Sequence, residues 1–239
     1  MSRLIERYSS FDSDIQSLGA ILLGLEDPPP WNLKEELLKP VKSSNLDLPE
    51  YGQPLLAAIQ IALVNLLASL GVVPDAVIGF SSGEMAAAYA SCAITAKEAI
   101  IAAYYRGQVV KKLDRKRGGM AAIGLGHNQV LPFLKPGVTV GCDPSPNFVV
   151  LSGDKDVLEI VCEDIRKVNI GVFNYRLPSS VAYHSRKCKL PSHNISLDSL
   201  ADVEQIICWK LGKLTRHYLH PIFIASLQQY HSILLLLQS

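Results

Sequence analysis

The sequence predicts an α/β protein, and three observations lead to that class. A short apolar run, PDAVIG, is followed by a glycine-rich turn. Helical stretches then follow at 83–91 and 96–113. From residue 118 onward, short β-rich stretches surround a single amphipathic helix. Alternation of strand and helix is the pattern of α/β layer folds, and 239 residues are enough to bury a substantial core.

The first part of the chain is predicted to be mainly helical. Residues 1–27 have an amphipathic pattern that the DPPPW stretch ends, and NLKEELLKP is a short helix that stops at Pro40. We expect a polar loop over residues 41–52. The next helix is expected to start at Pro54, because proline suits a first turn, and to run to Leu70. It is apolar almost all round, as helices inside a core are.

The middle of the chain is predicted to continue the layered pattern. PDAVIG is apolar on both faces, which is typical of strands inside a parallel sheet. Two helices follow, and Thr95 with Glu98 three residues later predicts a capping box at the start of the second.

The stretch from 119 to 183 is predicted to be a small subdomain. GGMAAIGLG, GVTVGCD and FVVLSGD are expected strands, KDVLEIVCEDIRKVN is an amphipathic helix, and IGVFNYRLPSSVAYHS closes the unit as strand and turn. This order has a ferredoxin-like character. We therefore predict a core at 1–118, a small subdomain at 119–185 and a C-terminal segment, 186–239, without an assigned fold.

Composition excludes several classes of protein. The formal net charge is +1, and only Lys111 to Arg117 is notably basic, so nucleic-acid binding is not expected. No run reaches the roughly 18 apolar residues of a membrane span, so no membrane association is expected. The N-terminus has no apolar signal core, which favours a cytoplasmic location. The five cysteines form no C-x-x-C pair, so we expect buried thiols and no metal site.

Residues 79–83 form a Gly-x-Ser-x-Gly motif with Ser81 at its centre. In such a motif the serine sits in a strained turn before a helix, and the glycines let backbone pass close to it. The helix N-terminus offers N–H groups to the oxyanion of a tetrahedral intermediate. The alternative is an ordinary glycine–serine turn without chemistry.

A serine nucleophile needs a base, and the chain has six histidines. His184, in VAYHS, follows Ser81 in the order seen in hydrolase-like folds. A single histidine is more often a surface or hydrogen-bonded core residue. Arg106, in AAYYRGQVV, has apolar and aromatic neighbours, so its guanidinium could enter a pocket and grip a carboxylate. It could equally be a surface arginine whose stem packs on tyrosines.

Taken in order, these stretches resemble the malonyl-CoA:acyl-carrier-protein acyltransferase domain of polyketide and fatty acid synthases, especially that of fungal reducing polyketide synthases. The matching text is PDAVIGFSSGEMAAAYASCAITAKEAI, AAYYRGQVV, GGMAAIGLG, SPNFVVLSGD and VAYHS, from about residue 10 to 185. The resemblance implies an α/β-hydrolase-like parallel-sheet core with an inserted ferredoxin-like subdomain, incomplete at the N-terminus.

The resemblance also implies roles for particular residues. Ser81 would attack the acyl thioester of coenzyme A, with His184 as base. Arg106 would hold the free carboxylate of a malonyl group. The backbone N–H of Ser82 would serve the oxyanion, and the bulky Tyr183 is of the malonyl-selecting type. The acyl group would pass to the phosphopantetheine thiol of an acyl carrier protein, with malonyl-CoA as substrate and no bound cofactor or metal.

The chain also departs from the family pattern. Phe80 stands where the family has a histidine, the family's glutamine-bearing oxyanion loop would precede Met1, and the match ends at Ser185. Two alternatives to an active acyltransferase follow. One is a truncated, weak or inactive remnant of a polyketide synthase. The other is a serine thioesterase or hydrolase, which an arginine in the acyl pocket suits less well.

Overall fold

The computed structural model describes residues 1–111, 118–177, 179 and 181–185. The chain separates into two compact units, one ending at Val109 and the next beginning at Val110. Most of the basic run that ends at Arg117 and the whole of segment 186–239 lie outside the described residues. The three-part division at 118 and 185 stays a prediction.

In the first unit, the described residues form helices joined by loops, without a strand. One amphipathic helix was expected over residues 1–27, but Tyr8, with a φ of −123°, breaks it into two. A single 3₁₀ turn at Val41–Ser43 lies between the third and fourth helices. The α-helices are α1 (Ser2–Arg7), α2 (Ser9–Leu23), α3 (Leu33–Leu38), α4 (Pro49–Ser69), α5 (Gly83–Ala90) and α6 (Ala96–Lys111).

Side-chain caps explain where two of these helices begin. The Asn32 side chain accepts a hydrogen bond from the N–H of Glu35 at 3.1 Å, which starts α3. The predicted capping box at α6 is confirmed: Thr95 Oγ1 accepts from the N–H of Glu98 at 3.2 Å, and Glu98 Oε2 accepts from the N–H of Thr95 at 2.7 Å.

Helix α4 begins five residues earlier than the sequence suggested. Pro49, and not Pro54, occupies the first turn, because the chain already turns at Leu48, whose carbonyl accepts from the N–H of Gly52 at 2.7 Å. The prediction of a polar loop up to residue 52 is therefore wrong at its end. As a result, Gln53 lies on a helix of the core.

Helix α4 is the central packing element of the first unit. It packs against α2 and α5. By length and composition it could cross a membrane, with a mean hydropathy of 1.4 in an 18-residue window, although Gln60 and Asn65 interrupt its apolar residues. A core helix meets the same criterion. The fully buried side chains around it include Phe11, Ile15, Leu22, Leu55 and Ile61.

The expected parallel strand PDAVIG is not a strand in the structure. Residues 72–80 form neither helix nor strand and pair with no described strand, and most of their apolar side chains are exposed. Val73 is 74% exposed, Ile78 is 72% exposed and Phe80 is 60% exposed. An apolar run becomes a buried strand only when neighbouring strands take up its backbone groups. The described residues supply no such neighbour.

The second unit contains a four-stranded antiparallel sheet whose strands, numbered along the chain, lie in the order second, third, first, fourth. The element sequence is β-α-β-β-α-β, the order of a ferredoxin-like motif, with the first helix reduced to one turn that a 3₁₀ turn continues. The expected strands and helix of this region are confirmed. The elements are β1 (Gly118–Ile123), α7 (His127–Val130), β2 (Val138–Ser145), β3 (Phe148–Asp154), α8 (Lys155–Val168) and β4 (Asn174–Arg176).

The two faces of this sheet carry separate apolar clusters. One face packs on α8, for example through Ile123 and Leu151. The opposite face carries Met120, Cys142 and Val150, and Tyr183 packs against them. Alternate residues of a strand point to opposite faces, which explains why Leu151 and Val150 belong to different clusters.

The cysteines only partly follow the expectation of buried thiols. Cys142 and Cys162 are buried, and burial raises the pKa of Cys142 to about 11. Cys92 is exposed, because it lies in a left-handed turn that follows α5, with a φ of 60°. Cys188 and Cys208 lie outside the described residues.

Candidate active site

Ser81 occupies a left-handed turn directly before α5. Its φ is 53°, a conformation that is uncommon for residues other than glycine. The turn is tight: a Cβ atom on Gly79 would lie 2.5 Å from the Cα atom of Glu84 and 2.7 Å from its nitrogen. Only glycine allows this approach, so the first glycine of the motif is required by the backbone path.

Backbone hydrogen bonds link the N-terminus of α5 to the turn that carries Ser81. Ser82 is the N-cap residue of the eight-residue helix. The N–H of Gly83 donates to the carbonyl of Phe80 at 2.9 Å, and the N–H of Glu84 donates to the carbonyl of Ser81 at 3.2 Å. These bonds fix the turn, and the aligned peptide dipoles of α5 favour negative charge at this end.

The guanidinium of Arg106, from α6, reaches the hydroxyl of Ser81. Its Nη2 lies 3.3 Å from Ser81 Oγ, and its Nη1 donates to Gln53 Oε1 at 3.2 Å. The fork of Arg106 is therefore held at one end by α4 while its other end faces the serine. Of the two roles that the sequence left open, a pocket arginine is the one that this geometry favours.

The sequence analysis missed Gln53. It falls between the predicted polar loop, 41–52, and the helix expected from Pro54, so it was not considered as a pocket residue. The signal that could have found it is the spacing of Gln53 and Gln60: the seven-residue interval places two amides on one face of an otherwise apolar helix.

Helix α5 is fixed in place by a polar network from two neighbouring helices. The hydroxyl of Tyr89 donates to Asn65 Oδ1 at 2.5 Å, and Asn65 Nδ2 donates to Asp14 Oδ2 at 3.0 Å. The chain of contacts runs from α5 through α4 to α2. It fixes the helix whose first residues position Ser81.

A half-buried carboxyl lies beside the serine turn. The position that a Cβ of Gly79 would occupy is 2.9 Å from the carboxyl carbon of Glu84. Burial raises the pKa of Glu84, because desolvation penalises the charged carboxylate. The turn thus places a carboxyl that resists ionisation close to the backbone of the motif.

His184 and Tyr183 belong to the second unit. His184 has a φ of 61°, so it too adopts a left-handed conformation. The Tyr183 side chain packs against the apolar cluster of Met120, Cys142 and Val150, and its carbonyl accepts a hydrogen bond from Ser152. The structure therefore brings Ser81, Ser82 and Arg106 together in the first unit and places Tyr183 and His184 in one turn of the second.

A serine in a strained turn at a helix N-terminus is the arrangement of the nucleophile in serine-dependent enzymes of the α/β-hydrolase class. The family model of the acyl transferase domain matches residues 28–207, and the chain belongs to this family. The resemblance drawn from the sequence is confirmed.

Fungal polyketide synthases are close relatives of the chain. It is 53% identical over 186 residues to the highly reducing polyketide synthase gloL of Glarea lozoyensis, an alignment that covers 78% of the chain and 7% of the synthase. It is 52% identical over 182 residues to the highly reducing polyketide synthase FUM1 of Gibberella moniliformis, with 76% and 7% covered. The chain thus spans only a small part of the length of these relatives.

Solved acyltransferase domains share the fold. The acyltransferase domain from the second module of the salinomycin polyketide synthase superposes with a TM-score of 0.67 at 28% identity, over 85% of this chain and 44% of that one. The acyltransferase domain of PpsC from Mycobacterium tuberculosis gives a TM-score of 0.67 at 26% identity, over 89% and 59%. These matches confirm the α/β class predicted from the sequence.

Proposed function

We propose that this chain moves a malonyl group from coenzyme A, through an ester at Ser81, to the phosphopantetheine thiol of an acyl carrier protein. The observation that carries the proposal is the 3.3 Å separation of Arg106 Nη2 and Ser81 Oγ. A fixed positive charge at the nucleophile suits an acyl group that ends in a carboxylate. A thioesterase acting on apolar acyl chains has no use for that charge at its serine.

The first half-reaction makes the serine ester. Ser81 Oγ attacks the thioester carbonyl while His184 accepts the hydroxyl proton. The backbone N–H of Ser82 and the dipole of α5 stabilise the oxyanion of the tetrahedral intermediate. The carbon–sulfur bond then breaks, and the thiol of coenzyme A leaves with the proton from His184.

The second half-reaction is the reverse process with a different thiol. The carrier thiol gives its proton to His184 and attacks the ester carbonyl, and Ser81 leaves as a hydroxyl. The partner is therefore a carrier protein with a phosphopantetheine arm, in a synthase that builds a polyketide. Neither step calls for a metal or a bound cofactor.

Arg106 and Tyr183 account for the choice of acyl group in this proposal. The guanidinium of Arg106 pairs with the malonyl carboxylate through parallel hydrogen bonds, and Gln53 Oε1 holds its other end. Tyr183, beside the base, leaves little room for a methyl branch. The second role rests on the family resemblance.

The proposal is tested by locating the acyl group. The purified chain is incubated with malonyl-CoA, digested and mapped by mass spectrometry. We expect the malonyl adduct on Ser81 and its discharge when a carrier protein with its phosphopantetheine arm is added. Ser81→Ala should abolish the adduct, because the nucleophilic oxygen is gone.

Ser91→Ala, at the other end of α5, is the matched control and should label normally. An adduct on the exposed Cys92, or one that persists in Ser81→Ala, contradicts the assignment. A folded chain with no adduct at any residue favours the inactive remnant.

A further inference from the structure

Ser152 is a polar residue on an apolar face. It lies on β3, is 0% exposed, and shares its sheet face with the cluster of Met120, Cys142 and Val150. A buried hydroxyl without a partner is unfavourable. Ser152 Oγ donates to the carbonyl of Tyr183 at 2.5 Å, so this strand holds the backbone of the residue before His184.

The backbone that Ser152 holds has an unusual conformation. His184 has a φ of 61°, a left-handed conformation that is unfavourable for a non-glycine residue and needs support from its surroundings. A second bond in the same turn runs from Ser185 Oγ to the carbonyl of Ala182 at 2.7 Å. The bond from Ser152 ties this turn to the sheet.

Gly141, on β2, makes room for this contact. A Cβ atom at Gly141 would lie 2.9 Å from Cβ of Ser152 and 3.4 Å from the carbonyl oxygen of Tyr183. A side chain at Gly141 would displace Ser152 and the Tyr183 carbonyl. Because glycine has no side chain, the Tyr183 backbone can approach β3.

We infer that Ser152 is a positioning residue for His184. Its hydroxyl fixes the Tyr183 carbonyl and thereby the left-handed backbone that carries the imidazole. The inference rests on the proposed function, in which His184 is the base. It predicts that loss of the Ser152 hydroxyl impairs proton transfer without changing the binding of malonyl-CoA.

A double-mutant cycle separates positioning from general destabilisation. We measure the first-order rate of Ser81 acylation by malonyl-CoA, and its half-saturating concentration, in the 239-residue chain. Ser152→Ala should lower the rate about 10-fold or more and leave the half-saturating concentration unchanged, because a misplaced catalytic group is that costly. In the His184→Ala background the same substitution should have no further effect. Equal losses in both backgrounds would overturn the inference.

The control variant is Asn174→Ala. Asn174 Nδ2 donates to the carbonyl of Cys162 at 2.9 Å, so this change also removes a side-chain-to-backbone bond within the second unit. It should leave the acylation rate unchanged. If His184→Ala itself has no effect on acylation, the proposed base is wrong. If His184→Ala slows acylation but Ser152→Ala does not, the positioning role of Ser152 is wrong and the proposed base stands.

If the chain has no measurable acylation activity, NMR spectroscopy of the His184 side chain still tests the inference. In spectra of the chain with isotope-labelled histidine, Ser152→Ala should shift or broaden the His184 imidazole signal and leave the other histidine signals in place. Gly141→Ala keeps the Ser152 hydroxyl but places a methyl group against it, so it should perturb the same His184 signal. This variant replaces Ser152→Ala in the test if Ser152→Ala fails to fold. An unchanged His184 signal in the folded variants would contradict the inference.

Discussion

The turns at Ser81 and His184 have the same unusual backbone conformation but are stabilised in different ways. The serine turn is closed by its own neighbours, since Gly79 packs on the Glu84 backbone and the N–H of Gly83 donates to Phe80. The histidine turn is tied to the sheet by Ser152, which is 31 residues from Tyr183 in sequence.

This difference determines what each turn depends on. A turn closed within six residues forms once its helix forms, so the geometry at Ser81 depends on α5. A turn tied to a sheet forms only when the strands are paired, so the geometry at His184 depends on β2 and β3. We therefore expect local backbone changes to damage the serine turn and changes in the sheet to damage the histidine turn.

The largest expected effect on stability comes from substitution of Gly79, the first glycine of the serine motif, and not of Gly83, the second. In Gly79→Ala the new methyl would meet backbone of Glu84 at 2.5 Å, whereas in Gly83→Ala the nearest group is Gln60 Nε2 at 3.8 Å. Overpacking of this kind typically costs about 1–3 kcal/mol. We expect Gly79→Ala to lower both the melting temperature and Ser81 acylation.

Gly83→Ala is the matched control for that change. Alanine is the better helix former and the site has space, so the melting temperature should hold or rise slightly. Similar destabilisation by both substitutions would show that the close approach at Gly79 does not set the turn.

The surroundings of the two turns differ as well, and this difference predicts a change of intermediate size in solubility. The segment before Ser81 exposes Val73 and Ile78, and contiguous exposed apolar surface promotes association. The double variant Val73→Lys/Ile78→Lys should raise the solubility of the purified chain and lower its weight-average mass in sedimentation.

Val168→Lys/Ile170→Lys is the control for surface charge alone. Val168 and Ile170, in the second unit, are 70% and 93% exposed, so their replacement adds the same two charges at other apolar positions. If this variant improves solubility as much as Val73→Lys/Ile78→Lys, the segment before Ser81 has no special part in association.

The smallest expected effect is a pH dependence at the serine turn. Burial raises the pKa of Glu84, so the folded chain binds this proton more tightly than the unfolded chain, and stability falls as the pH rises above roughly 4.5. Glu84→Gln has no charge to desolvate. It should raise the melting temperature at about pH 8 by a few degrees at most and have little effect at about pH 4.

Thermal unfolding at the two pH values checks the direction of this change in melting temperature. The control is Glu163→Gln, at an exposed position on α8, which should change the melting temperature equally at both pH values. A gain from Glu84→Gln that is larger at low pH would contradict the assigned direction of the pKa shift.

Features that close locally were predictable from the sequence. The capping box of Thr95 and Glu98 and the turn at Ser81 each depend on residues within a few positions, so their residue types are sufficient evidence. The strands of the second unit were predictable because each is a short segment that pairs with a neighbour in the same unit.

Features that depend on distant partners were not predictable. PDAVIG has the residues of a buried strand, but strand formation requires neighbouring backbone that the described residues do not provide. Gln53 was missed because the start of α4 depends on a hydrogen bond at Leu48. Nothing in the residue type of Ser152 indicates that its partner is the carbonyl of Tyr183.

The most direct test of the central claim compares two acyl groups in one variant. Arg106→Ala removes the guanidinium beside Ser81 Oγ, and Lys97→Ala removes an exposed cation from the same helix. Initial rates of Ser81 acylation are measured with malonyl-CoA and with acetyl-CoA.

We expect Arg106→Ala to lower the malonyl rate about 30-fold or more, because truncating one member of a buried charge pair costs about 2–5 kcal/mol. It should leave the acetyl rate nearly unchanged, and Lys97→Ala should alter neither. Equal losses for the two acyl groups in Arg106→Ala would show that the arginine is structural and contradict the account.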